Sequence, residues 1–160
     1  MKKKMIALIS GGIGGIVGTF AVAYKNSIKL EEIEKKCNKY RSYYNILNKM
    51  LYLKKMGIYI DDYLEEKGYK NIAIYGMGGL GERFYDELRD SKINVCYAID
   101  KNTCSIYSEL SIMQPDGYLE GNIDAVIVTA VHVYNDVEKK LSERLTVPII
   151  SLQDLITDIN

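Results

Sequence analysis

The chain has 160 residues, and its 21 basic and 21 acidic side chains cancel. That length accommodates one compact domain with an appendage, because domains usually contain roughly 100–150 residues, and it excludes a separate substrate-binding domain. A balanced charge gives no general electrostatic attraction to nucleic acid, so we expect no nucleic-acid partner. The three cysteines lack metal-ligand spacing, which favours reduced thiols and no metal site.

An uncharged segment of 20 residues, Met5 to Tyr24, follows three lysines at the N-terminus. A helix of that length spans about 30 Å, the thickness of a hydrocarbon core, so residues 1–25 are predicted to be a single-pass transmembrane anchor in the cell membrane. A cleaved signal peptide is an alternative, since Ala21-Val22-Ala23 is an acceptable cleavage site, and a soluble helix is another. More positive charges follow the segment than precede it, which favours a cytoplasmic C-terminal domain.

The same segment contains two small-xxx-small pairs, Gly11/Gly15 and Gly14/Gly18. Such pairs let helix backbones approach closely in lipid, and they are also common by chance in apolar segments. A homodimer through this face and a merely flexible helix both stay open.

Residues 26–68 are predicted to form a helical connector. Its apolar and aromatic residues alternate at spacings of three and four, the heptad pattern of a coiled coil. We call this set the heptad stripe; it consists of Leu30, Ile33, Cys37, Tyr40, Tyr44, Leu47 and Leu51. It predicts a helix that ends near Gly57, and a second helix from Ile60 to Glu66 is followed by Gly68 as its C-cap. We expect the stripe to pack on the chain's own α/β domain; a dimeric coiled coil is the alternative.

A glycine-rich turn opens the third predicted region, residues 69–160. A short strand, Asn71 to Tyr75, runs directly into Gly-Met-Gly-Gly-Leu-Gly and then into a helix from Glu82 to Arg89. This is the G-x-G-x-x-G pattern between a strand and a helix that binds dinucleotides. Gly76 permits the tight turn, Gly78 admits a pyrophosphate and Gly81 lets the helix pack closely, while N–H groups at the helix start face the anion.

The remaining elements continue a β/α alternation. A strand from Asn94 to Ile99 ends at Asp100, 19 residues after Gly81, where an acid can accept hydrogen bonds from a ribose. The later elements are a strand at Leu110 to Met113, a strand at Ala125 to Thr129, a helix from Tyr134 to Arg144 and a strand at Val147 to Ile150. Right-handed crossovers then give a Rossmann-like three-layer α/β fold with a parallel sheet of about five strands in the order 3-2-1-4-5.

In that order Thr129, Ala130 and His132 emerge beside the glycine turn, at the crevice where open α/β sheets bind ligands. His132 is the single histidine, and it is either a ligand contact or general base, or an ordinary surface histidine. The candidate cofactor-binding residues are Gly76, Gly78, Gly79, Gly81, Arg83, Asp100, Thr129 and His132.

Two features oppose a bound cofactor. Glu82 follows the third glycine, where its carboxylate would satisfy the helix N-terminus and repel a phosphate, unless Arg83 turns inwards to offset it. Asp100 also begins an Asp-Lys-Asn sequence, which is ordinary turn chemistry. Binding of NAD(P) or a nucleotide-sugar and a non-binding scaffold therefore both stay open.

The sequence resembles the small Rossmann-like domains encoded in bacterial surface-polysaccharide clusters, which occur alone or fused to glycosyltransferases. The resemblance rests on residues 68–81, on Ala98-Ile99-Asp100-Lys101-Asn102 and on Pro148-Ile149-Ile150-Ser151-Leu152, and it covers about residues 40–160. It implies a cytoplasmic nucleotide or nucleotide-sugar site and glycosyltransferase partners. The residues it implies for that site are Gly76, Gly78, Gly81 and Asp100.

The sequence offers no catalytic residues that we can name. Short-chain dehydrogenases and epimerases use Tyr-x-x-x-Lys. After the glycine turn, Tyr85 has Arg89 four residues later and Tyr134 has Glu138, while Tyr97, which has Lys101, lies inside the predicted strand Asn94 to Ile99. We therefore expect a membrane-anchored nucleotide- or nucleotide-sugar-binding accessory module in polysaccharide assembly, rather than an enzyme. A small NAD(P)-dependent oxidoreductase or sugar-nucleotide enzyme completed by a partner chain, and a scaffold with a vestigial Rossmann fold, are the alternatives.

Overall fold

A computed structural model describes residues 2–102, 110–117, 119 and 121–159, with side chains from residue 25 onward except that of residue 26. The chain divides into two compact units, residues 1–40 and residues 41–160. Helix α1 (Lys2–Lys55) provides the described part of the first unit and the beginning of the second. It ends as predicted near Gly57, whose φ of +73° stops the helix.

The predicted membrane segment, Met5 to Tyr24, lies in α1 but outside the residues described with side chains. Over the described part of the chain, no helix combines the length and the apolar character that crossing a membrane requires. The anchor and its alternatives stay predictions.

The second unit is built on a parallel sheet of five strands in the predicted order 3-2-1-4-5. The strands are β1 (Asn71–Tyr75), β2 (Asn94–Ile99), β3 (Ile112–Met113), β4 (Ala125–Val128) and β5 (Ile149–Ser151). β1 is central, and its residues Ile72–Tyr75 pair in register with β4. All four β4 residues are buried, as expected for a parallel strand that is covered on both faces.

Among its described residues, the unit also contains four further helices and one 3-10 turn. They are α2 (Ile60–Glu66), α3 (Gly79–Leu88), the turn Val131–Val133, α4 (Tyr134–Ser142) and α5 (Leu152–Asp158). α2 has its predicted bounds, and Gly68 follows it with φ +83°. α3 begins three residues before the predicted Glu82, because the glycine turn itself enters the helix after Gly78.

The strands β3 and β5 and the last described helix, α5, differ from the prediction. β3 is shorter than Leu110 to Met113, consistent with a short edge strand. β5 begins after Pro148, which has no N–H for the ladder, although its carbonyl accepts from the Val126 N–H at 2.9 Å. The unpredicted α5 starts at Ser151, whose Oγ accepts from the Gln153 N–H at 3.2 Å.

Both faces of the sheet carry apolar layers. One layer joins Ile72 and Ile74 of β1 to residues of the C-terminal part of α1 and of α2, α3 and α5. The other joins Ala73, Val126 and Val128 to Val137 and Leu141 of α4. The second unit is thus the predicted three-layer α/β structure, and the carboxyl ends of its strands meet at one edge.

Within the second unit, only Leu47 of the heptad stripe packs against the core, whereas we expected the stripe to pack on the domain. Tyr44 and Leu51 belong to the same unit as the sheet, yet each is 66% exposed. α1 instead buries Ile46, Met50 and Leu53 against the core. In this part of α1, therefore, the buried row differs from the row that the spacing predicted.

Candidate functional site

The glycine turn starts with a residue that must be glycine. Gly76 has φ +97°, a conformation that L side chains rarely adopt, and its N–H donates to the Ile99 carbonyl at 2.8 Å. A Cβ at this position would lie 3.1 Å from the Ala130 Cβ and from the Thr129 Oγ1. The predicted tight turn at Gly76 is confirmed.

Gly81 is required for a different reason, which is close packing. A Cβ at this position would collide with the Gly76 carbonyl oxygen and would lie 3.0 Å from the Thr129 Oγ1. The first turn of α3 therefore lies directly against the glycine turn. The predicted close packing at Gly81 is confirmed, although the neighbour is the carbonyl after β1 rather than the strand itself.

The fold does not require glycine at the two positions between them. Gly78 has φ −74°, which any residue adopts, and Gly79 has no positive φ either. A Cβ at Gly78 or at Gly79 would meet no atom within 4 Å. Bare backbone in open space is the arrangement that lets a ligand approach closely.

The backbone at this point is the N-terminus of α3. Gly78 is its N-cap, and glycine has no side chain with which to cap the helix. The first N–H groups of a helix have no acceptor within it, and the dipole places about half a positive charge there. Glu82 lies half-buried in the first turn and supplies the competing negative charge. Arg83 is paired with Asp86 along the exposed side of α3, with Nη1 and Oδ2 2.7 Å apart.

Asp100 connects the end of β2 to the glycine turn. Its Oδ2 accepts from the Met77 N–H at 2.6 Å, and its Oδ1 accepts from the Asn102 N–H at 2.9 Å. The bond to Asn102 is the expected turn chemistry, while the bond to Met77 holds the turn against β2. A carboxylate has about four lone-pair positions, so Asp100 keeps acceptor capacity for a hydroxyl.

Thr129 fixes the turn from the β4 side. It is 2% exposed, and its hydroxyl bonds to the carbonyl oxygens of Gly76 and of Tyr75, the latter at 3.2 Å. The structure thus places Thr129 beside the glycine turn, where its hydroxyl is already hydrogen-bonded to backbone carbonyl oxygens.

A cavity of about 740 Å³ opens at the same edge of the sheet. Gly76 and Asp100 line it, which joins it to the glycine turn. The other charged side chains and the histidine around it are Lys101, Asp116, His132, Asp136, Lys140, Glu143 and Arg144. Mixed charge provides both donors and acceptors, which suits a hydroxyl-rich group better than a bare anion.

Two tyrosines and His132 adjoin this region. His132 lies exposed on the turn Val131–Val133, and its ring meets the Tyr43 ring edge-on, with centroids 6.3 Å apart. Burial raises the pKa of Tyr75, which lines the cavity, and the Asp100 and Asp116 carboxylates add to the effect. Our sequence-based list did not include Tyr75. It also missed Lys101 and Lys140, although Lys101 directly follows Asp100 at the end of β2.

The family described as C2185-like, N-terminal matches residues 68–149, just over half of the chain. The chain belongs to this family. The C2185-like segment runs from Gly68 after α2 to Ile149 in β5, so it contains the glycine turn and every candidate cofactor-binding residue. Comparisons with curated proteins and with solved structures give no match.

Proposed function

We propose that the chain is a membrane-anchored accessory module that binds a nucleotide or a nucleotide-sugar, in the assembly of cell-surface polysaccharide. The observation that supports binding is the pair Gly78 and Gly79. Neither is required by backbone conformation or by packing, and both leave open space before an uncapped helix N-terminus. The setting in polysaccharide assembly comes from the family resemblance of residues 40–160, and the anchor from the apolar segment Met5 to Tyr24.

The two parts of the site suit the two parts of such a ligand. The N-terminus of α3 provides N–H donors and positive potential for the phosphates. Asp100 and the adjoining cavity provide acceptors and donors for the ribose or the sugar hydroxyls. Since Glu82 weakens the phosphate end, we expect the hydroxyl-binding end to contribute a large share of the affinity.

Tyr134, at the start of α4, has its hydroxyl bound within the fold. The Tyr134 hydroxyl bonds to the Glu138 carboxylate at 2.8 Å and to the Ile149 carbonyl at 2.9 Å. Burial and the Glu138 carboxylate raise the pKa of Tyr134 to about 12. A proton-transfer tyrosine needs the opposite shift, which a neighbouring lysine provides.

A ligand screen on the whole chain in mild detergent tests the proposal. The panel contains NAD(H), NADP(H), nucleoside-diphosphate sugars and S-adenosylmethionine. A ligand at 100 times its dissociation constant stabilises a protein by about 2.7 kcal/mol, which a shift in Tm detects. We expect a nucleotide-sugar or a dinucleotide to give such a shift. If none of the panel does so, the scaffold alternative is favoured instead.

Gly78→Val provides the site-directed test, because a Cβ at this position enters the open space before α3 and would have no atom within 4 Å. We expect the variant to keep the Tm of the free protein and to lose binding of the best ligand by calorimetry. Glu82→Gln is the companion, since removal of the carboxylate should tighten phosphate binding. Unchanged affinity in Gly78→Val would place the ligand elsewhere, and weaker binding in Glu82→Gln would make Glu82 a ligand contact.

A further inference from the structure

Most of the heptad stripe of α1 is exposed. Six of its seven residues are exposed, and Leu47 is half-buried because it packs against the core of its own chain. The exposed fractions reach 66% at Leu30, Tyr40, Tyr44 and Leu51. Contiguous apolar surface of this kind marks an interaction site, because soluble proteins rarely leave it uncovered.

The heptad spacing of the stripe favours another helix as its binding partner. Steps of three and four residues drift by about 20° per heptad on a straight helix, and a partner helix that winds around the first takes up this drift. A second copy of the same chain offers the same row with the same spacing. The two tyrosines retain polar hydroxyl ends, which can reach solvent at the rim while the rings are buried.

The area of the row is sufficient for a specific pair. A tyrosine buries roughly 150–250 Å² when it is enclosed, and each copy contributes Tyr40 and Tyr44. With the leucine and isoleucine side chains, two copies fall in the range of about 1,200–2,000 Å² that stable interfaces bury. One copy therefore supplies a sufficient and matching surface for the other.

We propose that two copies of the chain pair through the heptad stripe as a parallel, in-register coiled coil. The parallel direction rests on the predicted anchor, because two chains that enter one membrane just before the stripe run the same way. Rim charges do not decide the direction: in a parallel pair Lys29 faces Glu34 of the partner copy, and Lys36 faces Arg41. Two nucleotide sites are then held together at the membrane.

The pairing places Cys37 opposite its counterpart, since both occupy the same core position of one heptad. The test uses the whole chain in mild detergent with Cys96→Ser and Cys104→Ser, treated with a short bismaleimide. We expect a covalent dimer through Cys37. Moving the thiol by one residue, with Cys37→Ser and Asn38→Cys, turns it away from the seam and should lower the dimer yield about tenfold.

Charge substitutions show whether the stripe itself holds the pair. Ile33→Glu and Tyr44→Glu place charges in the seam at exposed positions, where the monomer tolerates them. We expect each to lower the Cys37 dimer yield about tenfold and to give a monomer by sedimentation, because a buried unpaired charge is costly. Asn38→Glu is the matched control. Asn38 directly follows Cys37 and is turned away from the seam, so this variant should leave the dimer intact.

Three results would overturn the proposal. One is a wild-type chain that sediments as a monomer. Another is equal cross-linking at Cys37 and at the shifted thiol, which excludes the parallel register. The last is a Cys37 dimer that survives Ile33→Glu and Tyr44→Glu, which would assign the association to the glycine-rich segment before the stripe. None of these readouts depends on a bound nucleotide, so they are independent of the proposed function.

Discussion

At Gly81 the first turn of α3 comes so close to the glycine turn that a single methyl group would strike the Gly76 carbonyl. We expect Gly81→Ala to lower the free energy of unfolding by about 1–3 kcal/mol, the usual cost of overpacking. Gly79→Ala is the matched control in the same helix, where the added methyl meets nothing within 4 Å.

The control should be neutral or should stabilise by up to about 0.5–1 kcal/mol, because alanine is a better helix former than glycine. Urea unfolding of both variants measures the difference. Equal midpoints would show that the first turn of α3 can move away from the glycine turn without cost.

Tyr134 links α4 to the first residue of β5, and its raised pKa predicts that the fold is sensitive to alkaline pH. Its pKa rises from 10.0 to about 12 on folding, through burial first and the Glu138 carboxylate second. Between these values the unfolded chain releases the Tyr134 proton and the folded chain keeps it. The contribution of Tyr134 to stability is therefore complete below pH 10 and is lost as the pH rises towards 12.

Tyr134→Phe should lower the free energy of unfolding at neutral pH by about 0.5–1.5 kcal/mol, through the lost hydrogen bond to the Ile149 carbonyl. The deficit should shrink above pH 10, because the phenylalanine has no proton to lose. Urea unfolding as a function of pH measures this, with Tyr59→Phe at an exposed position as the control. A deficit that stays constant with pH would contradict the raised pKa.

Among the elements, the two central strands are joined at their beginnings by one carboxylate. The Asp124 Oδ2 accepts from the backbone N–H groups of Lys70 at 2.9 Å and Asn71 at 2.7 Å, just where β1 starts. The Asp124 N–H in turn donates to the Asn71 carbonyl at 2.6 Å. These bonds set the register between β1 and β4 before the ladder begins.

Asp124→Ala should cost about 1.5–3 kcal/mol, the usual contribution of hydrogen bonds to a charged acceptor. Asp124→Asn keeps one acceptor oxygen and should cost clearly less. Thermal unfolding of the two variants checks the order. An equal loss in both would mean that the charge of Asp124, and not its acceptor oxygen, stabilises the strand pair.

Sequence reasoning located β1, β2 and α2 to the residue, because each has a clear end. Gly76 follows β1, Asp100 follows β2 and Gly68 lies just after α2. It missed α5, although Ser151 and Asp154 form an N-capping pattern before Leu155 and Ile156. Within the second unit it chose a row of α1 whose Tyr44 and Leu51 are exposed, since periodicity finds apolar rows but not which of two rows meets the sheet. Ile46, Met50 and Leu53 form a second row, which is the buried one.

For the candidate site, the motif predicted the constraints on Gly76 and Gly81, because these arise from the local strand-turn-helix geometry. It could not predict that Asp100 bonds to the Met77 N–H, which depends on how β2 and the turn meet. Lys101 and Lys140 reach the cavity from separate elements, so only tertiary packing brings them together. Motif spacing along the chain therefore locates the glycine turn of the candidate site better than it locates the residues that line the cavity.

At the scale of the whole molecule, the predicted membrane anchor would decide where the proposed nucleotide site operates and in which direction the proposed pair of chains runs. The segment Met5 to Tyr24 is uncharged over 20 residues and follows three lysines. A helix of that length matches a hydrocarbon core of about 30 Å. The flanking charges, with more lysine and arginine after the segment than before it, favour a cytoplasmic α/β domain.

We expect the chain, expressed in a bacterial host, to remain in the membrane pellet after alkaline carbonate washing and to keep Met1 or Lys2 at its N-terminus. Replacing Ile13 and Val17 together by Asp should release it, because each charge at the centre of a membrane helix costs about 2.5–3.5 kcal/mol on insertion scales. The same pair of substitutions at exposed Asn38 and Asn48 is the control and should leave the chain in the pellet. Recovery of soluble protein that begins at Tyr24 would identify a signal peptide. Recovery of soluble protein with an intact N-terminus would instead identify a soluble helix, and would remove the reason for a parallel direction in the proposed dimer.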